Sequence, residues 1–261
     1  MNKSSEHSNK WSLILLILFF TIFLSVSCIA KLQVNISSPV QPMPIDCIIP
    51  NDSMQIQIDT KFCPGVYNLP NGISVQNNVM LNCDGATLNG TKIYRSYGIR
   101  IQQSSNITLI NCNVENYYIG YETRWLTEST IINNNATNND FGAYVWQTYN
   151  SSILQNKFSN NTYGMRVETS GFNIIINNSF TYNGRYGMES DIGYGNNITL
   201  NWLKDNSQSL IFYNTYYFEN VSNNIWDNDI WDNGVWEANR NNYCINNISN
   251  RYYNNVTGPT C

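Results

Sequence analysis

The chain has 261 residues, of which 12% are charged, and its formal net charge at pH 7 is −4. This length allows one domain with a sizeable core, and the absence of a basic stripe argues against nucleic acid as a partner. Asparagine makes up roughly one residue in six, far above ordinary globular usage. Together with 13% aromatic residues, this composition is typical of short strands joined by tight turns, not of a disordered chain.

Residues 1–30 have the layout of a secretory signal peptide. Two lysines precede an apolar run over residues 11–26, and small residues follow it. The run is short for a membrane span, so an uncleaved anchor over 11–27 is one alternative and lipidation at Cys28 is another. We therefore expect a secreted or cell-surface protein that contacts the membrane only through this segment.

Six cysteines follow the targeting segment, and an even number in an exported chain predicts disulfides. The simplest connectivity joins sequence neighbours, which gives the pairs Cys47–Cys63, Cys83–Cys112 and Cys244–Cys261. Dense Asn-x-Ser/Thr sequons also predict a glycoprotein where the host glycosylates.

A repeat of about 22 residues organises the chain. An aromatic or apolar residue followed by glycine recurs, with glycines at Gly98, Gly120, Gly142, Gly164, Gly187 and Gly234 and with Leu210 in the intervening slot. A second column with the same step contains Leu109, Ile131, Ile153, Ile175, Ile198 and Val221. Three residues later in each coil come Cys112, Asn134, Asn156, Asn178, Asn201 and Asn224. Two residues further on come Val114, Ala136, Phe158, Phe180, Leu203 and Trp226.

Several columns that share one period predict a parallel β-helix. A coil of this length cannot bury its own apolar face, but stacked coils bury one continuous core. The aliphatic columns are expected inside, and the asparagine column is expected at corners, where left-handed backbone and coil-to-coil amide hydrogen bonds suit this residue. Glycine is expected where the turn needs a positive φ, and strands of about three to five residues are expected.

Two segments carry a family resemblance. Residues 77–85 (NNVMLNCDG) and 106–112 (NITLINC) resemble the PbH1-type repeats of secreted right-handed parallel β-helix proteins of the NosD-like, pectin-lyase-like superfamily. Cys47 and Cys63 are similar to cysteines in the N-terminal capping region of those proteins. The resemblance implies an all-β, single-stranded right-handed solenoid over 77–235, between an N-terminal cap over 31–76 and a C-terminal cap over 236–261.

The resemblance implies no single activity, because the superfamily contains polysaccharide lyases, hydrolases, adhesins and members without known activity. Its polysaccharide-cleaving members carry their active site on an outer sheet face. Such a face is therefore where we look for function.

Alternation along the strands predicts two outward columns, two and four residues after each glycine. The first contains Arg100, Glu122, Tyr144, Arg166, Glu189, Phe212 and Trp236. The second contains Gln102, Arg124, Trp146, Glu168, Asp191 and Asn214. In a chain poor in charge, guanidinium forks, carboxylates and aromatic plates together are typical of sugar recognition.

Two functions remain open on this face. A non-enzymatic glycan-binding or structural/adhesion module of the cell envelope would bind its ligand through Arg100, Glu122, Arg124, Tyr144, Trp146 and Arg166. A polysaccharide hydrolase or lyase would use Glu168, Glu189 and Asp191, because carboxylates on adjacent coils reach the separation that glycoside hydrolysis uses. Arg166 would then orient an acidic sugar. The simplest alternative is a solvated surface with cross-strand ion pairs.

No cofactor is predicted. The only histidine, His7, lies in the targeting segment, and the chain has no Cys-x-x-Cys pair. The Asp-rich stretch over 226–233 offers oxygens that calcium prefers. It lacks the ligand spacing of a calcium loop, so a polar turn is the simpler interpretation. Aromatic residues over 212–218 are expected to cover the end of the stack.

Overall fold

The computed structural model describes residues 46–191, 193, 195–213, 224–226, 229–231, 235–237 and 251–253. The predicted targeting segment, the pair Cys244–Cys261 and most of the predicted C-terminal cap lie outside the described residues. The loop positions of the Asp-rich stretch and the aromatic residues over 214–218 lie outside them as well.

The described part of the chain is built from short strands. In chain order they are β1 Met54–Ile56, β2 Thr60–Lys61, β3 Val66–Asn68, β4 Ile73–Val75, β5 Met80–Asn82, β6 Thr87–Asn89, β7 Tyr97–Ser105, β8 Thr108–Ile110, β9 Asn113–Glu115, β10 Ile119–Thr127, β11 Thr130–Ile132, β12 Asn135–Thr137, β13 Phe141–Trp146, β14 Ser152–Leu154, β15 Lys157–Ser159, β16 Tyr163–Glu168, β17 Ile174–Ile176, β18 Ser179–Thr181, β19 Tyr186–Asp191, β20 Asn197–Thr199, β21 Trp202–Lys204, β22 Gln208–Tyr213, β23 Asn224–Trp226, β24 Asp229–Trp231, β25 Val235–Glu237 and β26 Arg251–Tyr253.

The strands form three parallel sheets. Sheet 1 has the order β1-β4-β7-β10-β13-β16-β19-β22-β25, and sheet 2 has the order β2-β5-β8-β11-β14-β17-β20-β23. Sheet 3 has the order β3-β6-β9-β12-β15-β18-β21-β24-β26. Each strand pairs with its counterpart one coil further on, so the predicted all-β parallel solenoid is confirmed. The described residues include no helix long and apolar enough to cross a membrane.

The central strands of sheet 1 are longer than expected. In this sheet β7 and β10 extend over nine residues, and β13, β16 and β19 over six. The strands of sheets 2 and 3 have two or three residues, as in β2 and β8. Sheet 1 is therefore the widest face of the solenoid and offers the largest continuous outer surface.

The predicted interior columns are confirmed over most of the repeat. Leu109, Ile131, Ile153, Ile175 and Ile198 pair in register in sheet 2 and are buried. In sheet 3, Val114, Ala136, Phe158, Phe180 and Leu203 do the same. Stacking identical aliphatic positions coil after coil makes one hydrophobic core from units too small to form one alone.

The predicted register is wrong in the coil that follows β19. Met188 pairs with Leu210, so Leu210 does not occupy the glycine slot. The partners of Glu189 and Asp191 are consequently Ile211 and Tyr213, not Phe212 and Asn214. Ile198 pairs with Ile225, so Val221 does not continue the aliphatic column.

This second shift, of four residues, also moves the two columns that were counted from Val221. Asn224 pairs with Asn197 and Trp226 with Thr199, both in sheet 2, instead of following Asn201 and Leu203. The coil from Ile198 to Ile225 is longer than 22 residues, so a fixed step no longer identifies its columns.

The asparagine column is a buried ladder. In Asn134, Asn156 and Asn178 the backbone N–H donates to the side-chain Oδ1 one coil further on, over 2.8–2.9 Å. A second ladder of the same kind contains Asn139, Asn161, Asn183 and Asn206. The predicted coil-to-coil amide bonds are therefore confirmed.

The left-handed corner of each coil lies one residue before the first ladder, not in it. Asn133, Gln155, Asn177 and Leu200 have φ between 55° and 58°. The first three of them are exposed, as is Leu200. Asparagine therefore has two separate uses here: a buried hydrogen-bonding ladder and an exposed turn.

Two disulfides lie near the N-terminal coils, Cys47–Cys63 and Cys83–Cys112. These are the pairs that local connectivity predicts. Cys83 and Cys112 are fully buried, and the bond between them joins one coil to the next.

Candidate functional site

The outward columns of five consecutive coils meet on sheet 1 as predicted. Their side chains, called the sheet 1 face from here on, are Arg100, Gln102, Glu122, Arg124, Tyr144, Trp146, Arg166, Glu168, Glu189 and Asp191, in register from β7 to β19. In a chain this rich in asparagine, the five strands that carry the face contain none.

One end of the face is an ion-paired clamp. Arg100 Nε donates to one carboxylate oxygen of Glu122 over 2.7 Å, and Arg124 Nε donates to the other over 2.6 Å. Glu122 is 0% exposed although its position points outward, because the two arginines cover it. Both oxygens of Glu122 are occupied, so its role is to fix the two guanidinium groups.

At the other end of the face, three carboxylates surround a single arginine. Arg166 Nε lies 3.3 Å from Glu168 and 3.8 Å from Glu189, and Arg166 Nη2 lies 3.6 Å from Asp191. The three residues predicted for catalysis therefore converge on one guanidinium group. Three negative charges against one positive charge give this cluster a formal charge of −2.

The carboxylates of this cluster are poorly solvated. Burial raises the pKa of Glu189, and the negative charges of Asp191 and Glu168 add to it while Arg166 opposes it. Burial likewise raises the pKa of Asp191, and Glu168 adds to it. Glu189 Oε2 and Asp191 Oδ1 are buried and accept no hydrogen bond. Such carboxyls hold a proton at higher pH than usual, as a general acid must.

We predict that Glu189→Gln stabilises the protein at neutral pH. A carboxyl with a raised folded-state pKa costs stability when it is ionised, and the cost disappears as the pH falls toward the unfolded pKa of 4.5. The variant should therefore exceed the wild type in urea unfolding at pH 7, and the difference should shrink at pH 4. Glu115→Gln removes a carboxylate from sheet 3 and is the control. A variant less stable than the wild type at pH 7 would contradict this account.

Aromatic side chains occupy the middle of the face. The Tyr144 hydroxyl donates to Glu168 Oε2 over 2.6 Å, and burial and this bond raise the pKa of Tyr144. Trp146 lies beside Trp125, with ring centroids 4.9 Å apart, and the Arg124 guanidinium lies 5.1 Å from the Trp146 ring centroid. Trp125 is exposed. The two indoles lie side by side near the C-terminal ends of β10 and β13.

A cavity of about 250 Å³ extends from the first residues of β7, β10 and β13 to three members of the sheet 1 face. Its lining residues are Tyr94, Arg95, Tyr97, Tyr118, Ile119, Arg124, Phe141, Tyr144 and Arg166. The columns predicted Arg124, Tyr144 and Arg166 as ligand residues but missed the other members. Within the described chain, no group of three or more His, Cys, Asp or Glu side chains is arranged to hold a metal ion.

A family model described as the right handed beta helix region matches residues 71–225, more than half of the chain. The chain belongs to the right-handed β-helix family. No curated protein matches the chain. Its membership of this family gives the hand of the solenoid, which agrees with the resemblance seen in the repeats.

The chain is similar to solved structures of several kinds of protein. The periplasmic alginate epimerase AlgG is 15% identical with a TM-score of 0.51, over 78% of this chain and 50% of that one. ORF18 of Geobacillus virus E2 is 12% identical with a TM-score of 0.48, over 77% and 55%. The Streptococcus pneumoniae surface protein and adhesin PfbA is 10% identical with a TM-score of 0.36, over 80% and 90%. At such identities the likeness shows the fold alone, and this β-helix spans half the length of the epimerase chain.

Proposed function

We propose that this β-helix is an exported protein that binds a polysaccharide on the sheet 1 face. The observation that carries the proposal is the composition of that face: nine of its ten side chains, all but Gln102, are charged or aromatic in a chain with only 12% charged residues. Aromatic rings stack on sugar faces, and guanidinium and carboxylate groups bind hydroxyls.

The geometry of the face suits an extended polymer. The coils repeat at about 4.8 Å along the solenoid, which is close to the length of one pyranose unit. A polysaccharide that lies along the axis therefore meets a new row of side chains at each sugar. The fold is also compatible with a glycan partner, because the similar structure of AlgG is that of an alginate epimerase and alginate is a polysaccharide.

Cleavage of the bound polymer is the second candidate function. It is favoured by the convergence of Glu168, Glu189 and Asp191 on Arg166 and by the raised pKa values of Glu189 and Asp191. A carboxyl with a raised pKa beside a second carboxyl is the pairing that glycoside hydrolysis uses. The ion pairs to Arg166 favour a structural role instead, because cross-strand ion pairs stabilise the stacked strands. Binding is therefore the primary proposal.

The test is a panel of polysaccharides presented to the purified protein and scored for retention and for released products. We expect retention of at least one glycan, and Trp146→Ala should weaken it by about tenfold because a central aromatic contact is lost. Trp202→Ala removes an exposed indole from β21 in sheet 3 and should bind like the wild type. Retention that is equal in both variants would place the binding site elsewhere.

Product release separates the two candidate functions. If products appear and disappear in Asp191→Asn while retention persists, the face is catalytic. If glycans are retained without products, the protein is a binding module for those glycans. Failure to retain any glycan in the panel would reject polysaccharide binding.

A further inference from the structure

We infer that the cavity beside the sheet 1 face binds an anionic sugar residue, one that carries a carboxylate or a sulfate, with Arg95 as the group that recognises its charge. The inference rests on the proposed polysaccharide function and adds the chemical class of the ligand and a binding site. Four observations carry it: an insertion, its attachment to the coils, the unpaired arginine of the cavity and the arrangement of its rings.

The cavity is built by an interruption of the repeat. Between β6 and β7 the chain has seven residues, 90–96, whereas the equivalent connection one coil later has only residues 116–118. The step from Ile73 to its partner Ile99 is correspondingly longer than the 22 residues between Ile99 and Tyr121. The inserted segment brings Tyr94 and Arg95 to the cavity.

The inserted segment is held firmly against the next two coils. The backbone N–H of Lys92 donates to the Asn116 carbonyl over 2.6 Å, and Lys92 Nζ pairs with Asp140 over 3.3 Å. A Cβ on Gly90 would lie 2.5 Å from the Asn116 carbonyl oxygen, so the segment needs glycine where it crosses this coil. A segment anchored in this way presents a preformed wall, which reduces the cost of ordering on binding.

Among the described residues, only one of the three arginines that line the cavity has no carboxylate partner. Arg124 is paired with Glu122, and Arg166 is surrounded by three carboxylates. Arg95 is exposed and forms no ion pair within the described residues; its guanidinium lies 5.2 Å from the centroid of the Tyr94 ring. An unpaired planar fork at the edge of a cavity is suited to bidentate binding of a carboxylate or a sulfate.

The aromatic rings of the cavity are arranged as one row across successive coils. Tyr94 and Tyr118 have ring centroids 4.9 Å apart, and Tyr118 and Phe141 have centroids 5.7 Å apart. Beyond the cavity the row continues from Phe141 to Tyr163, whose rings are stacked with centroids 4.5 Å apart. A sugar ring can therefore pack on the row while its acidic group reaches Arg95, which combines an apolar face and an anion in one ligand.

The test uses each polysaccharide that the panel shows to be retained, measured by calorimetry before and after its charge is removed. Carboxyl reduction neutralises uronates and desulfation neutralises sulfate esters, so the two treatments identify the anion. We expect the acidic polymer to bind about tenfold more tightly than its neutralised form, and Arg95→Gln to remove that difference while leaving the neutral form unaffected. Lys157→Gln removes one exposed cation from β15 in sheet 3 and controls for overall charge.

The outcomes separate this inference from the function on which it rests. Retention of neutral polymers alone, or an equal loss in Arg95→Gln and Lys157→Gln, would overturn the anionic site and leave polysaccharide binding intact. No retention of any polymer would overturn both. A charge preference that is lost only in Arg95→Gln would establish the site, and the treatment that abolishes the preference would name the anion.

Discussion

Asn178→Ala is expected to lower the free energy of unfolding by about 3–5 kcal/mol. The Asn178 amide donates to the Ile153 carbonyl over 2.9 Å and to Asn201 Oδ1 over 3.1 Å. Its oxygen accepts from the backbone N–H of Asn156 over 2.8 Å and from the side-chain amide of Asn156 over 3.0 Å. Alanine leaves all of these partners buried without water, so the loss exceeds that of one ordinary hydrogen bond.

The control is the residue next to it. Asn177 is exposed and occupies the left-handed corner with a φ of 56°, so Asn177→Gly keeps the conformation and should change stability by less than about 0.5 kcal/mol. Urea unfolding followed by circular dichroism measures both variants. Equal losses at 177 and 178 would show that the ladder adds nothing beyond a good turn residue.

Gly142→Ala is expected to cost about 3 kcal/mol or more, because a side chain at this position collides with backbone. A Cβ on Gly142 would lie 2.4 Å from the carbonyl oxygen of Gly164 and 2.8 Å from Asn161 Nδ2. Neither atom can move without breaking sheet 1 or the second asparagine ladder. We expect a lower urea midpoint and a lower yield of folded protein.

Gly184→Ala provides the matched control. The nearest atom to a Cβ at this position is 3.8 Å away, at the Asn161 carbonyl, and Gly184 is exposed. Its φ lies outside the left-handed region, so alanine should be neutral or slightly stabilising through the unfolded chain. A comparable loss of stability in both variants would mean that any side chain added to a coil is destabilising, and that the contact at Gly142 is not the cause.

The glycine column shows where sequence reasoning reached the right element for the wrong reason. Gly98, Gly120, Gly142 and Gly164 mark the repeat correctly, but none of them has a positive φ. They lie inside sheet 1 strands. The carbonyl oxygen of the next glycine in the column lies so close to each of them that a Cβ would collide with it. One sequence column cannot distinguish a turn requirement from a close approach, because glycine satisfies both.

The core columns and the sheet 1 face were predictable because burial and alternation act on every coil in the same way. The column position that contains Leu109 in one coil and Ile198 in another must be apolar in every coil. The outward positions can be counted from the glycine once it is located. The prediction failed after Asp191 for two reasons. In sheet 1 the step from Met188 to Leu210 returns to 22 residues after a step of 23, and in sheet 2 the step from Ile198 to Ile225 rises to 27. Spacing alone contains no information about such a change.

The cavity was missed because its key residues are not periodic. Tyr94 and Arg95 lie in the longer connection between β6 and β7, and column alignment has no place for them. A signal was present: the partners Ile73 and Ile99 are 26 residues apart, against the 22 of the following coils. In a regular solenoid, a local increase in coil length marks inserted residues that are not part of the stacked strands.

The in-register sheet 1 face has a further consequence for how such a protein can change in evolution. Between Tyr97 and Asp191 each coil presents its outward pair directly above the last, and its contacts are mainly with the neighbouring coils. Duplication or loss of one whole 22-residue unit would therefore lengthen or shorten the face by one row of about 4.8 Å and leave the other rows unchanged. For the proposed polysaccharide ligand, the number of sugars in contact would follow the number of units, so unequal recombination would change ligand length without altering any single contact.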